Sequence, residues 1–174
     1  MPVDDDVLDG QEVIAYVGLG ANLGAALSTL EAAVRLCAAL PESRLLARSG
    51  IYRTAPVDAS GDDYFNAVVA LKTRLPPDDL LQALHEIELQ HGRQRPYRNA
   101  PRTLDLDILY VSDLALNDDT LILPHPRLHL RRFVLTPLND IRPDLRLHGQ
   151  ADTVAELLAR LNDPSAVRIF ANAW

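Results

Sequence analysis

An α+β domain with a ferredoxin-like β-α-β-β-α-β core, an antiparallel sheet carrying two helices on one face, is the fold class the sequence predicts. Three observations lead there. Four β-branched or apolar runs alternate with two helical periodicities in that order between residues 13 and 111. No parallel strand–helix–strand repeat is evident. A chain of 174 residues, 48% hydrophobic, buries one core without disulfides.

The elements follow in order. Residues 13–19 read as a strand running into Gly18, Gly20 and Asn22, taken as a tight strand-to-helix turn. Leu27, Leu30, Val34, Cys37 and Leu40 recur at steps of three and four, an amphipathic helix with Ser28-x-x-Glu31 as its capping box and Pro41 beyond its end. Residues 44–54 form a second strand that Gly50 interrupts, and 65–73 a third. Pro76-Pro77-Asp78 starts a second helix, with Leu80, Leu84, Ile87 and His91 on one face. Residues 104–111 are the fourth strand. The C-terminal third is an elaboration: short strands at 114–116 and 121–123, a turn at Pro124-His125-Pro126, a helix over 133–139, and another over 153–161 with the box Thr153-x-x-Glu156. Residues 1–12 form an acidic tail, and 13–174 are read as a single domain.

Charge narrows the function. The net charge is −7, but the first twelve residues hold five of the 24 acids and none of the 17 bases, so the remainder is only −2. An acidic average argues against long nucleic acids and anionic membranes. No apolar run reaches a membrane span of ~20 residues, the start lacks a signal-peptide pattern, and a lone Cys37 fits a reducing compartment, so a cytoplasmic protein is expected. Cys37 itself falls on the first helix's apolar stripe and is expected in the core. All but one of the bases are Arg, whose planar fork suits phosphate.

The chemistry concentrates at Arg102-Thr103-Leu104-Asp105-Leu106-Asp107-Ile108. On a strand, Asp105 and Asp107 share one face while Leu104, Leu106 and Ile108 point into the core. Paired carboxylates on a rigid face repel each other unless a cation lies between them, and Mg²⁺ typically takes one or two carboxylates plus substrate phosphates. Arg93, Arg95, Arg98 and Arg102 precede them without an intervening acid. A second cationic stretch, from His125 to Arg132, follows. Carboxylates beside converging arginines point to Mg²⁺-dependent chemistry on a nucleotide polyphosphate. An RNA-recognition module shares the strand order, but residues 65–73 lack its aromatic motif. A non-catalytic nucleotide sensor is the other alternative. The Gly18-to-Gly24 stretch misses the dinucleotide fingerprint by one residue.

These motifs, taken together, resemble the 6-hydroxymethyl-7,8-dihydropterin pyrophosphokinase family. The resemblance is carried by Ala-Pro-Arg102-Thr-Leu-Asp105-Leu-Asp107-Ile, Gly18-Leu-Gly-Ala-Asn22, Tyr52-Arg-Thr54-Ala-Pro56, Asp63-Tyr64-Phe-Asn66, Ile87-Glu88 through Arg93, and Pro124-His125-Pro-Arg-Leu-His with Arg131 and Phe133. It implies transfer of the pyrophosphoryl group of ATP to the pterin's hydroxymethyl group, giving AMP, in folate biosynthesis. By position it implies that Asp105 and Asp107 hold two Mg²⁺ ions and that Arg93 and Arg102 assist transfer. Glu88, Arg95, Ile108, His125 and Arg131 would contact the nucleotide. Thr54, Val57, Tyr64, Asn66 and Phe133 would surround the pterin, Tyr64 and Phe133 by ring stacking. Segments 55–63 and 92–101 match loops that close over the substrates. Asn99 stands where some members carry Trp. The expected partners are small molecules only, acting on a monomer.

Overall fold

The computed structural model describes residues 11–22, 26–55, 63–91 and 104–174. The elements are β1 (Val13–Ala21), α1 (Ala26–Ala38), β2 (Ser43–Arg48), β3 (Ile51–Thr54), β4 (Tyr64–Thr73), α2 (Pro77–Gln90), β5 (Asp105–Val111), β6 (Leu116–Asn117), β7 (Ile122–Leu123), a 3₁₀ turn (Leu128–Leu130), α3 (Arg132–Ile141), α4 (Val154–Arg160) and β8 (Val167–Ala171). The main sheet has six strands in the order β5-β1-β4-β3-β8, with β2 also on β4. Its pairings are antiparallel.

Alternation along the central strands sorts side chains onto two faces. Ala15, Val17, Leu19 and Ala21 of β1, with Ala67, Val69 and Leu71 of β4 and Leu106 and Ile108 of β5, pack against Leu30, Val34 and Cys37 of α1 and Leu80, Leu84 and Ile87 of α2. Cys37 is fully buried, and burial pushes its thiol up to about 12, so it is a plain core residue. The second face carries Tyr16, Val68, Ala70, Leu109 and Tyr110, covered by Leu135 and Leu138 of α3 and Val154 and Leu157 of α4. Arg142 crosses to this face and donates through Nη1 to the Tyr16 hydroxyl at 2.7 Å.

Four expectations change. The Gly18–Gly20 stretch is not a turn: both glycines lie inside β1. The strand foreseen over 44–54 is two strands, broken at Ser49-Gly50. Helix α1 already includes Ala26, so Ser28 sits within its first turns and cannot be the cap residue. Leu27, assigned to the apolar stripe, is exposed instead, the buried stripe running through Ala26, Leu30, Ala33, Val34 and Cys37. Strand β8 was not foreseen. The Thr153–Glu156 box is present, the Glu156 N–H donating to Thr153 Oγ1 at 3.2 Å and the Thr153 hydroxyl to Glu156 Oε1 at 3.1 Å.

Candidate active site

Where the second face is not covered by α3 and α4, it opens into a cavity of about 340 Å³. Its placement follows from register. Gly20 of β1 pairs with Asp105 on one side and Asn66 on the other; Gly18 pairs with Asp107 and Val68. Paired residues of an antiparallel ladder share a face, so the rows Asp105–Gly20–Asn66 and Asp107–Gly18–Val68 form the floor. Thr54, in register with Tyr64, extends it at the β3 edge. Past Asp107 a bulge between Tyr16 and Val17 shifts the pairing, and the face closes over with Leu109 and Tyr110.

The walls come from the C-terminal third: His125, Arg131, Phe133, Val134 and Ser165 line the cavity. The His125 N–H donates to Leu109 O at 2.8 Å, fixing the turn to β5. The Arg127 N–H donates to His125 Nδ1 at 3.2 Å, which makes Nδ1 an acceptor and leaves the ring proton on Nε2. Half-burial holds the imidazole below its ordinary pKa; Asp107 pulls the other way, and Arg131 and Arg127 reinforce the lowering. A neutral imidazole donor beside a carboxylate is the outcome. The Arg131 guanidinium lies 5.5 Å from the Phe133 ring centroid, a cation–π contact joining a phosphate-type cation to an aromatic wall. Asn66 Nδ2 donates to Thr54 Oγ1 at 3.1 Å, which orients the amide. Arg132 fastens the segment bearing Ser165. Its backbone N–H donates to Asp163 Oδ2 at 3.1 Å, and its guanidinium donates to Asp163 O and Leu161 O.

Of the residues singled out from sequence, Thr54, Tyr64, Asn66, Asp105, Asp107, His125, Arg131 and Phe133 all meet at this cavity. Two do not line it. Glu88 is 2% exposed on α2 and engaged within the molecule, and the Ile108 side chain is 2% exposed in the core beneath β5. A ligand in the cavity can therefore reach residue 108 only through its backbone. Val57, Arg93, Arg95 and Arg102 lie outside the described residues, as do nearly all of the two loop segments. Sequence reasoning missed Gly18 and Gly20 as floor residues, and Ser165. The G-x-G spacing of two places both glycines on one strand face, a period-two signal of strand rather than of turn.

The metal question turns on the donor set. Among the described residues no group of three His, Cys, Asp or Glu side chains converges. A site closed by protein ligands alone is therefore absent there. Asp105 and Asp107, hard oxygen donors two residues apart on one face, suit a Mg²⁺ ion completed by substrate phosphate and water. The cavity thus combines carboxylates and cationic or neutral donors at its β5 end with aromatic, amide and hydroxyl groups at its β3–β4 end. That is equipment for a phosphorylated substrate beside a flat, hydrogen-bonding one.

Comparison with known proteins places the chain in a family. Residues 16–143 match the family described as 7,8-dihydro-6-hydroxymethylpterin-pyrophosphokinase (HPPK). The chain is 44% identical over 154 residues to the 2-amino-4-hydroxy-6-hydroxymethyldihydropteridine pyrophosphokinase of Methylorubrum extorquens, covering 88% of this chain and 96% of that one. It is 47% identical over 133 residues to the protein of that name from Pseudomonas aeruginosa, covering 76% and 82%. Among solved structures it is similar to the wild-type HPPK-DHPS of Plasmodium falciparum, with a TM-score of 0.67 at 17% identity, covering 88% of this chain and 42% of that one. At that identity the likeness is one of fold, and this chain spans less than half of that protein.

Proposed function

The chain belongs to the 7,8-dihydro-6-hydroxymethylpterin-pyrophosphokinase family, enzymes of folate biosynthesis that transfer a pyrophosphoryl group to the pterin's hydroxymethyl group, and we propose how its cavity performs that transfer. ATP is the donor and enters at the β5 end, with His125 and Arg131 against its phosphates and Asp105 and Asp107 holding Mg²⁺, two ions in the full complement. The pterin lies at the β3–β4 end, with Tyr64 and Phe133 against its ring and Asn66 and Thr54 at its polar edge. Arg93, Arg95 and Arg102 add positive charge from the segment before β5, Val57 borders the pterin, and Glu88 and Ile108 contribute from behind the wall. The observation that carries this reading is that one cavity is lined by both residue sets, joined through the Asp105–Gly20–Asn66 row.

The hydroxymethyl oxygen attacks the β-phosphorus, forming the new O–P bond as the α–β bridging bond breaks. AMP leaves with the bridging oxygen, and the hydroxyl proton passes to solvent or the departing phosphate. Bound Mg²⁺ supplies charge neutralisation on the phosphate oxygens. The protein's own work is positioning and electrostatics. The aromatic walls and the oriented Asn66 amide hold the ring so that its arm points along the row toward Asp105. Arg131 and the His125 Nε2–H donate to phosphate oxygens, and the carboxylates of Asp105 and Asp107 stay on the sheet because β5 fixes both on one face.

The same reading describes the core as ferredoxin-like, supported by the β5-β1-β4 order with β2 and β3 beyond, with the rest as an elaboration forming one domain from residue 13. It has the protein act in the cytoplasm as a monomer, since one chain supplies every side chain invoked. Among the described residues no helix is long and apolar enough to cross a membrane. The test is direct: incubate the protein with ATP, Mg²⁺ and 6-hydroxymethyl-7,8-dihydropterin and follow AMP. AMP that requires both pterin and Mg²⁺ is expected. AMP without pterin would indicate a hydrolase, and none under any condition a binding protein, and either result would overturn the proposal.

A further inference from the structure

Gly18 and Gly20 carry no group that the reaction above uses, yet both line the cavity from the centre of the sheet. Neither has a positive φ, so an alanine backbone is unstrained at either place. What is at stake is the space a Cβ would take, and the two positions differ in what it would meet. At Gly18 the nearest atom is Leu109 Cδ2 at 3.3 Å, the end of a flexible aliphatic chain. At Gly20 it is Asn66 Oδ1 at 3.4 Å. The Asn66 amide is oriented by its Nδ2 bond to Thr54, which leaves Oδ1 turned toward Gly20. Among the described residues nothing donates to that oxygen. It is an acceptor held ready on the cavity wall, and such an acceptor favours a ligand N–H.

We propose that Gly20 is a specificity-determining residue: its bare backbone keeps Asn66 Oδ1 uncovered for a ring N–H or amino group of the pterin. The inference rests on the pterin occupying the β3–β4 end of the cavity and adds the reason that β1 must lack a side chain there. A methyl group at residue 20 would touch Oδ1 without a hydrogen to give it and would fill the space from which a donor approaches. It would also stand midway along the row from Asn66 to Asp105, roughly 10 Å for two strand spacings. That row is the line along which the substrate's arm reaches the carboxylates.

The test uses the full chain as wild type, Gly20→Ala, Asn66→Ala and the double variant. Pterin binding is titrated by fluorescence with Mg²⁺ and an ATP analogue whose α–β bridge is a methylene; analogue binding and Tm are measured alongside. Gly20→Ala is expected to weaken pterin binding about tenfold or more, within the range one misplaced methyl group gives in a shaped pocket. Analogue affinity and Tm should stay at wild-type values. In the Asn66→Ala background the same change should add little, because the methyl acts through the missing acceptor. Unchanged pterin binding in Gly20→Ala, or an equal loss in both backgrounds, would overturn the proposal. So would a joint fall in analogue affinity and Tm, which marks a general disturbance of β1. If the wild type binds the analogue but no pterin, the assignment of the cavity fails, and this inference with it.

Discussion

Asp107 is exposed at the cavity while its neighbours Leu106 and Ile108 are buried, so its carboxylate can be removed without touching the core. Asp107→Ala is expected to abolish AMP formation while leaving stability within about 0.5 kcal/mol, as for other exposed substitutions. A variant that turns over normally with Mg²⁺ would show that Asp107 is no ligand. Arg93, outside the described residues, is a different kind of contributor, a charge proposed from the sequence alone. Arg93→Ala should lower kcat by roughly 10²–10⁴ with little change in KM, the range for a transition-state cation or donor. A rise in KM with kcat intact would instead assign it to ground-state binding. The two differ in legibility too. Alternation along one strand was enough to put Asp105 and Asp107 on one face and to turn the Ile108 side chain into the core, where it lies, whereas the pairing of Asp105 and Asp107 with Gly20 and Gly18 depends on long-range register that no local pattern carries.

At the scale of elements, the break between β2 and β3 shows what periodicity leaves out. Both strands pair with β4, and Ser49 spans the gap between them: its N–H donates to Val68 O, and its Oγ accepts from the Val68 N–H, each at 2.9 Å. The chain can therefore bend without losing the ladder. Gly50 is the bend. Its N–H donates to Asp140 Oδ2 at 3.1 Å, the same carboxylate that accepts from the Tyr52 hydroxyl at 2.7 Å, which ties β3 to α3. A Cβ at Gly50 would lie 2.9 Å from Ala171 O and from Ile169 Cδ1, so this glycine is what lets β8 approach. Gly50→Ala should therefore destabilise by about 1–3 kcal/mol, the cost of overpacking, read as a lower urea midpoint with an unchanged slope. A midpoint equal to wild type would mean that β8 yields freely. Strand β8 escaped the sequence because Ile169 and Phe170 are both half exposed, so no alternation marks a buried face. The cap at Thr153 was legible because its chemistry is complete within four residues.

For the whole molecule, residue 111 divides neither the sheet nor the packing: β8, from the C-terminal third, pairs with β3 in the main sheet, and the same third covers the sheet's second face. The β-α-β-β-β-α-β run through β5 has one face sealed by α1 and α2, and on that account it reads as a self-sufficient unit. Its other face carries Tyr16, Val68, Ala70, Leu109 and Tyr110, each at most 4% exposed and each covered from the C-terminal third. Burial on that scale is worth roughly 1.5–3 kcal/mol for each large side chain, against a total stability of about 5–15 kcal/mol for a domain. Losing the cover removes most of the margin. The cavity is divided in the same way: glycines, carboxylates and Asn66 come from the sheet, whereas His125, Arg131, Phe133 and Ser165 come from beyond it. A fragment ending at residue 113 is thus expected to lack a cooperative urea transition and to bind neither pterin nor ATP. Circular dichroism with denaturant titration and a binding titration check both halves of that statement. A fragment that unfolds cooperatively and still binds pterin would show that the sheet alone carries the site, and that the C-terminal third only shields it.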